Sequence, residues 1–336
     1  MTSPLADFVH RTGAHCGSTS LRNVATRYGW DLDEATCFGL ASGIGFTLFD
    51  MPGPPTRGFF VRPVWIEPSF FSHLGVEVDI QQGDTWRETE RRLRRRTEAG
   101  DPVVVYTDIF HLEYFGTDTH FAPHTICVLD VGEDRVVLSD SEFDERQTVP
   151  VDQLREAMGS TAVFDLDYRT MVVTEPVRSV PFVEAARTAI ARAAREMLDP
   201  EPTSPRLDGE VSGVAAIEQL AAELPTWTEF DDPHWSVRFA YQNVERRGTG
   251  GGTFRRLYAE FLETAATKLP ELPVEVAGRT REIADDWTAV GETLRRASET
   301  ETRADLQPYL TEASATLEAI ARREARLFRE LEAAVD

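Results

Sequence analysis

The sequence predicts an α+β domain followed by an all-α domain, and three observations carry that reading. The first half alternates β-branched runs of strand length with helix-like patches. The second half repeats alanine-rich stretches with helical spacing. The texture changes between residues 175 and 210, which places the boundary at 175/176 and the domains at 1–175 and 176–336. A chain of 336 residues with 41% hydrophobic side chains can fill two cores of ordinary size.

The strands come first. "DPVVVYTDI" (101–109), "HTICVLDVG" (124–132) and "DRVVLSDS" (134–141) are β-branched runs bounded by turn residues. The "VGED" between the last two suits a hairpin turn. "TAVFDLDYRTMVVT" (161–174) reads as one more strand or a pair. "PFVEAARTAIARAAREML" (181–198) then opens the helical half, with Pro181 suited to a first turn. Residues 199–213 read as a loop, and helices are expected at 214–224, 253–269, 279–298 and 310–335. No repeat period of about 20–50 residues recurs, so a solenoid is excluded.

Charge excludes several functions. There are 57 acidic residues against 35 basic ones, a net charge of −22, and Lys268 is the one lysine. Such a surface repels phosphate backbones, so nucleic acid is not an expected partner. It also suits a salt-rich, halophilic cytoplasm and a GC-rich genome. No apolar run of about 18 residues is present, so no membrane span is expected. The start "MTSPLADFVHRTG" does not read as a secretory signal, and three cysteines make no disulfide framework. The expected setting is a reducing cytoplasm.

Cys16 admits three readings: a buried small residue, a metal ligand or a nucleophile. Leu21, Val24, Ala25 and Tyr28 follow it on one helical stripe, which puts Cys16 at a helix N-terminus beside Gly17 and Ser18. The unpaired amides and positive dipole end there favour a thiolate and suit an oxyanion. A nucleophilic thiolate needs a base, and the base needs a carboxylate to orient it. His124 opens one strand, and Asp140 ends the next after a single hairpin. Cysteine, histidine and acid therefore occur in the chain order of papain-like folds. Cys37 and Cys127 sit within apolar runs and read as core.

"HCGSTSLRNVATRYGWDLDEATCFGLASGIGF" (15–46) and "VVVYTDIFHLEYFGTDTHFAPHTICVLDVGEDRVVLSDS" (103–141) resemble the N-terminal domain of the butirosin biosynthesis protein H family. "RRGTGGGTFRRLYAEFL" (246–262) resembles the helical domain of unknown function that often follows it. The resemblance implies a papain-like α+β catalytic domain, similar to peptidases that process bacteriocin leaders. It implies Cys16 as nucleophile, His124 as base and Asp140 as orienting acid. The implied activity is acyl or aminoacyl transfer from a thioester, on a carrier protein or a CoA-like donor, to a small amine. Asp108 precedes the histidine as the family's aspartate does. Those peptidases carry a glutamine, an oxyanion donor, six residues before the cysteine; here the position holds His10, with His15 as a second candidate. Gly17, Asp108 and His120 complete the expected cleft.

Two other classes stay open: a cysteine peptidase or amidase on the same triad, and a non-catalytic binding protein. His120 and His124 have the i, i+4 spacing of a helical metal pair, but Pro123 breaks such a helix, so no metal is expected. No cofactor is expected either. "GTGGGTFRR" (248–256) could hold a donor's phosphate on the amides of Gly250 and Gly251 with Arg255 and Arg256, or be a flexible turn. "RETERRLRRRTEAG" (87–100) is a solvated helix face or a docking patch for an acidic carrier protein. Homodimerisation is one role open to the helical half.

Overall fold

The computed structural model describes residues 3–201 and 207–335. The fold is α+β, with antiparallel sheets drawn mainly from the first 175 residues and helices dominating the rest. It resolves into two compact units: residues 1–37 with 74–180, and residues 38–73 with 181–336. The sequence division at 175/176 assigned 38–73 to the first domain; in the structure that segment belongs to the second unit. Its aromatic residues account for this, since Phe38 stacks on Phe254 and Phe46 on Trp287. Gly39 allows the approach: a Cβ there would collide with the ring of Phe261.

The first unit is built on one six-stranded antiparallel sheet. Its order is Glu77–Gln81, Thr170–Glu175, Val103–Thr107, His124–Val131, Arg135–Ser139 and Gln147–Pro150. Val103–Thr107 is buried at every position, as expected of a strand covered on both faces. Helices Trp86–Glu98 and Val151–Met158 add Leu93, Leu154, Ala157 and Met158 to a core shared with Val103, Val105, Ile126 and Val128. Fully burying such side chains stabilises the fold by about 1.5–3 kcal/mol each. The helix Cys16–Arg27 packs against the strand His124–Val131, where the Ser20 hydroxyl donates to the Thr125 carbonyl. Of the stretch 161–174, only the end is strand: Asp167 and Tyr168 take left-handed φ values of 47° and 53° and turn the chain just before it.

The second unit is dominated by the helices Phe182–Leu198, Gly213–Glu223, Pro233–Glu245, Arg255–Ala266, Val276–Ser298 and Arg303–Val335. A three-stranded antiparallel sheet of Arg57–Phe60, Thr47–Asp50 and Val211–Ser212 accompanies them. The loop expected at 199–213 lies partly outside the described residues. The last helix starts seven residues before the expected 310 and runs through Pro308, forgoing one backbone hydrogen bond there.

Candidate active site

The helix Cys16–Arg27 begins at the thiol because His15 caps it. His15 is extended, at φ −144° and ψ 130°, and its Nδ1 accepts the Ser18 amide at 3.2 Å. Glu34 braces the approach: its carboxylate accepts the Ala14 and His15 amides at 3.0 and 2.9 Å and the Ser18 hydroxyl at 3.1 Å. Gly13 lets it lie this close, since a Cβ there would strike both Glu34 and Thr19. The amides of Cys16 and Gly17, at the first two helical positions, have no intrahelical acceptor.

Sheet register supplies the partners. Cys127 pairs with Ser139, and one further step sets Asp140 opposite Ile126, two residues from His124 and on the same face. His124 Nε2 lies 3.0 and 2.9 Å from Asp140 Oδ1 and Oδ2. With Nε2 committed to the carboxylate, Nδ1 is left for the Cys16 sulfur, to which the ring is hydrogen-bonded. The three side chains are buried, at 7%, 3% and 0% exposure for Cys16, His124 and Asp140.

Electrostatics follow from that burial. Loss of solvent works to raise the Cys16 pKa, but the charge and hydrogen bonds of His15 and His124 outweigh it and hold the thiol well below its ordinary value. Burial works to lower His124, yet Asp140 and then the Cys16 thiolate hold it well above the usual imidazole range. Asp140 stays low despite burial, through His124, the Glu142 amide and the Tyr114 hydroxyl. The favoured state is a thiolate beside an imidazolium backed by a carboxylate. Cys37 differs: burial pushes its thiol well above the ordinary value.

The remaining expected residues separate into groups. His10 has both ring nitrogens engaged, Nδ1 with the Ser139 hydroxyl at 2.8 Å and Nε2 with the Phe143 carbonyl at 2.9 Å. It therefore has no N–H to spare for an oxyanion, whereas His15 and Gly17 stand at the thiol. Asp108 and His120 pair with each other at 2.6 Å instead of hydrogen-bonding the Cys16–His124–Asp140 set. In the second unit, Arg255 is not available to a phosphate: its side chain forms a two-point pair with Glu324 at 2.9 and 2.8 Å and donates to the carbonyls of Gly45, Val61 and Thr253. Arg256 pairs with Asp285 at 2.8 Å. The glycine-loop amide of Gly252 already meets a carboxylate, Glu245, at 3.0 Å. Gly250 and Gly251, at φ 62° and 83°, serve a left-handed turn that L side chains rarely adopt.

Sequence reading missed three contributors. Tyr114 donates to Asp140 Oδ2 at 2.9 Å, Phe115 packs edge-on against His124 with centroids 5.3 Å apart, and Glu34 braces the helix start. The aromatic stretch before His124 was a signal for the first two. Nothing in the local sequence marks Glu34, because its role depends on the chain folding back on residues 13–18.

The domain model described as butirosin biosynthesis protein H, N-terminal, matches residues 15–141, which contain Cys16, His124 and Asp140. A domain of unknown function (DUF4872) matches residues 152–331, more than half of the chain. No curated protein matches the chain. The chain thus belongs to the family in which this C-terminal domain of unknown function follows a butirosin biosynthesis protein H N-terminal domain.

Proposed function

We propose that the protein is a cysteine acyltransferase that moves an acyl or aminoacyl group from a thioester donor to an amine. The observation that supports it most is the buried thiolate–imidazolium–carboxylate set at a helix N-terminus. The Cys16 sulfur attacks the thioester carbonyl carbon, and the oxyanion meets the amides at the start of the helix. The carbon–sulfur bond of the donor breaks, and the leaving thiolate takes the proton held on His124. The acyl group now rests on Cys16. The acceptor amine attacks that carbonyl, gives its proton to the neutral His124 ring, and Cys16 departs as thiolate. Thioester and amine have become amide and thiol. The burial of all three groups favours an ordered amine over bulk water as acceptor. A carrier-protein thioester is the donor form that the resemblance to the butirosin biosynthesis protein H family implies.

Intact-mass spectrometry of the full chain with a panel of aminoacyl and acyl thioesters tests this reading. A single adduct on Cys16, absent from Cys16→Ala and discharged by an amine faster than by water, is the expected result. Adducts discharged equally by water alone would make the enzyme a hydrolase. Absence of any adduct, with no selective reactivity at Cys16, would leave a binding protein.

A further inference from the structure

The second unit holds a pocket whose charge runs against that of the chain. Acidic residues outnumber basic ones by 57 to 35, yet Arg238, Arg246, Arg247 and Arg295 line one cavity of about 410 Å³. The helix Pro233–Glu245 presents Arg238, Tyr241 and Gln242 to it at i, i+3 and i+4, on one face. The chain leaves that helix with the Arg246 and Arg247 amides both on the Gln242 carbonyl, at 2.8 and 3.0 Å, which keeps the two arginines beside that face. The last turn of the helix Val276–Ser298 adds Arg295.

Three of these guanidiniums lack a counter-charge. Arg295 is neutralised, by Glu292 at 2.8 Å and Glu299 at 2.6 Å. Arg247 is half-buried and held by neutral groups: it donates to Gln242 Oε1 at 3.2 Å and lies over the Phe239 ring, 4.5 Å from its centroid. Burial lowers its pKa, and no carboxylate offsets the effect. Among the described residues, Arg238 and Arg246 likewise have no acidic side chain within ion-pairing distance. Complementing the negative end of the helix Pro233–Glu245 accounts for Arg246 alone, because Arg238 sits mid-helix and Arg247 is turned onto Phe239. Like charges gathered in a concavity repel one another, and a half-buried one also loses hydration; an anion bound among them relieves both.

We infer that this cavity binds the phosphate group of a small molecule, with Arg238, Arg246 and Arg247 as its anion ligands and the Gln242 side chain holding Arg247 in place. A phosphate monoester brings about two negative charges and three strong acceptor oxygens, which suits three guanidiniums; a carboxylate brings one charge and two oxygens. A cavity of about 410 Å³ exceeds what a bare phosphate fills and lies within the range of about 300–1,000 Å³ typical of small-molecule sites. The space left over takes the organic body of the ligand. The arginines before the glycine loop, Arg246 and Arg247, thus take the role expected of Arg255 and Arg256 after it, which are engaged with Glu324 and Asp285. The ligand's phosphate has two possible sources, the pantetheine arm of a thioester donor or an unrelated phosphorylated metabolite, and the site itself does not depend on acyl transfer.

The test titrates the full chain calorimetrically, at constant ionic strength in chloride, with inorganic phosphate, 4′-phosphopantetheine and pantetheine. Both phosphate-bearing probes should bind saturably, one per chain, and pantetheine should not. Tighter binding of 4′-phosphopantetheine than of inorganic phosphate assigns the site to a thioester donor; equal binding assigns it to another phosphorylated molecule. Arg238→Gln and Arg247→Gln should each weaken binding by about 10- to 100-fold, the equivalent of one hydrogen bond to a charged group. Arg326→Gln, which removes the same charge from an exposed position elsewhere in the unit, should leave binding unchanged. Arg238 is exposed, so its variant keeps the fold, which an unchanged circular dichroism spectrum checks. Absence of saturable binding would overturn the assignment. So would equal weakening by Arg326→Gln, which would make the effect one of overall charge, or a preference for polyglutamate over both phosphate probes, which would make the patch a protein-docking surface. None of these results bears on adduct formation at Cys16, which the mass experiment decides separately.

Discussion

Tyr114 donates its hydroxyl proton to the same oxygen, Oδ2 of Asp140, that receives His124 Nε2; both contacts measure 2.9 Å. The carboxylate is thus held by a neutral donor and by the His124 ring at once. The shared oxygen explains why Asp140 remains ionised at 0% exposure. Tyr114 itself is pushed well above the ordinary phenol value, first by burial and then by the Asp140 charge, so it remains a donor.

Tyr114→Phe should therefore raise the Asp140 pKa and weaken its hold on His124. The lost hydrogen bond should cost about 1.5–3 kcal/mol of stability, the range for bonds to a charged group. The unfolding midpoint measures the stability loss, and the acid limb of Cys16 alkylation should move up, because a less firmly held imidazolium stabilises the thiolate less. An unchanged profile would show that Tyr114 does not act on the triad.

The alkylation of Cys16 by iodoacetamide should be fast at neutral pH, with an acid limb well below the ordinary thiol value of 9.0. The sign follows from the two shifts. As pH falls through the lowered Cys16 pKa, the thiolate is protonated and reactivity is lost. As pH rises through the raised His124 pKa, above the ordinary 6.5, the imidazolium loses its proton and general-acid turnover falls. His124→Ala should move the acid limb up toward the free-thiol value. Cys37 and Cys127, each at 0% exposure, should remain unlabelled until the chain unfolds.

Glu34→Ala should destabilise the fold by about 1–3 kcal/mol, because it strips the acceptor from the Ala14 and His15 amides and the Ser18 hydroxyl. The His15 cap loosens with it, so Cys16 alkylation should slow as well. Normal denaturant midpoint and normal labelling together would show that water replaces the carboxylate without loss.

In the second unit, Arg255→Met or Glu324→Leu alone should cost about 3–5 kcal/mol, since each strands a charge at 2% or 0% side-chain exposure. Glu324→Leu also removes the acceptor from Trp287 Nε1, at 2.8 Å. The double variant should cost less than the sum of the two singles. A donor's KM should not respond to Arg256→Gln, whose parent arginine is engaged with Asp285 and Thr288. A large rise in that KM would restore the phosphate role expected from the glycine loop.

Periodicity and turn chemistry, both local properties, determined much of this protein from sequence alone. The runs at 103–107, 124–131 and 135–139 are strands because β-branched residues there lie between turn signals. The helix after Cys16 and the hairpin joining His124 to Asp140 were legible for the same reason, and with them the three residues that meet. The helix Pro233–Glu245 carries a local signal that was passed over, Asp232 capping Trp235 with a proline at the first position. Tertiary structure decided what depends on groups distant in the chain. Residues 38–73 joined the second unit because their aromatic rings find partners beyond residue 250. Arg255 became a core residue because Glu324, 69 positions away, neutralises it. His10 was diverted from an oxyanion by Ser139 and Phe143, and Asp108 joined His120 and His111 instead of the triad. A side chain's chemistry is set by whichever partner shares its burial, and no spacing rule specifies a partner that only the folded chain brings near.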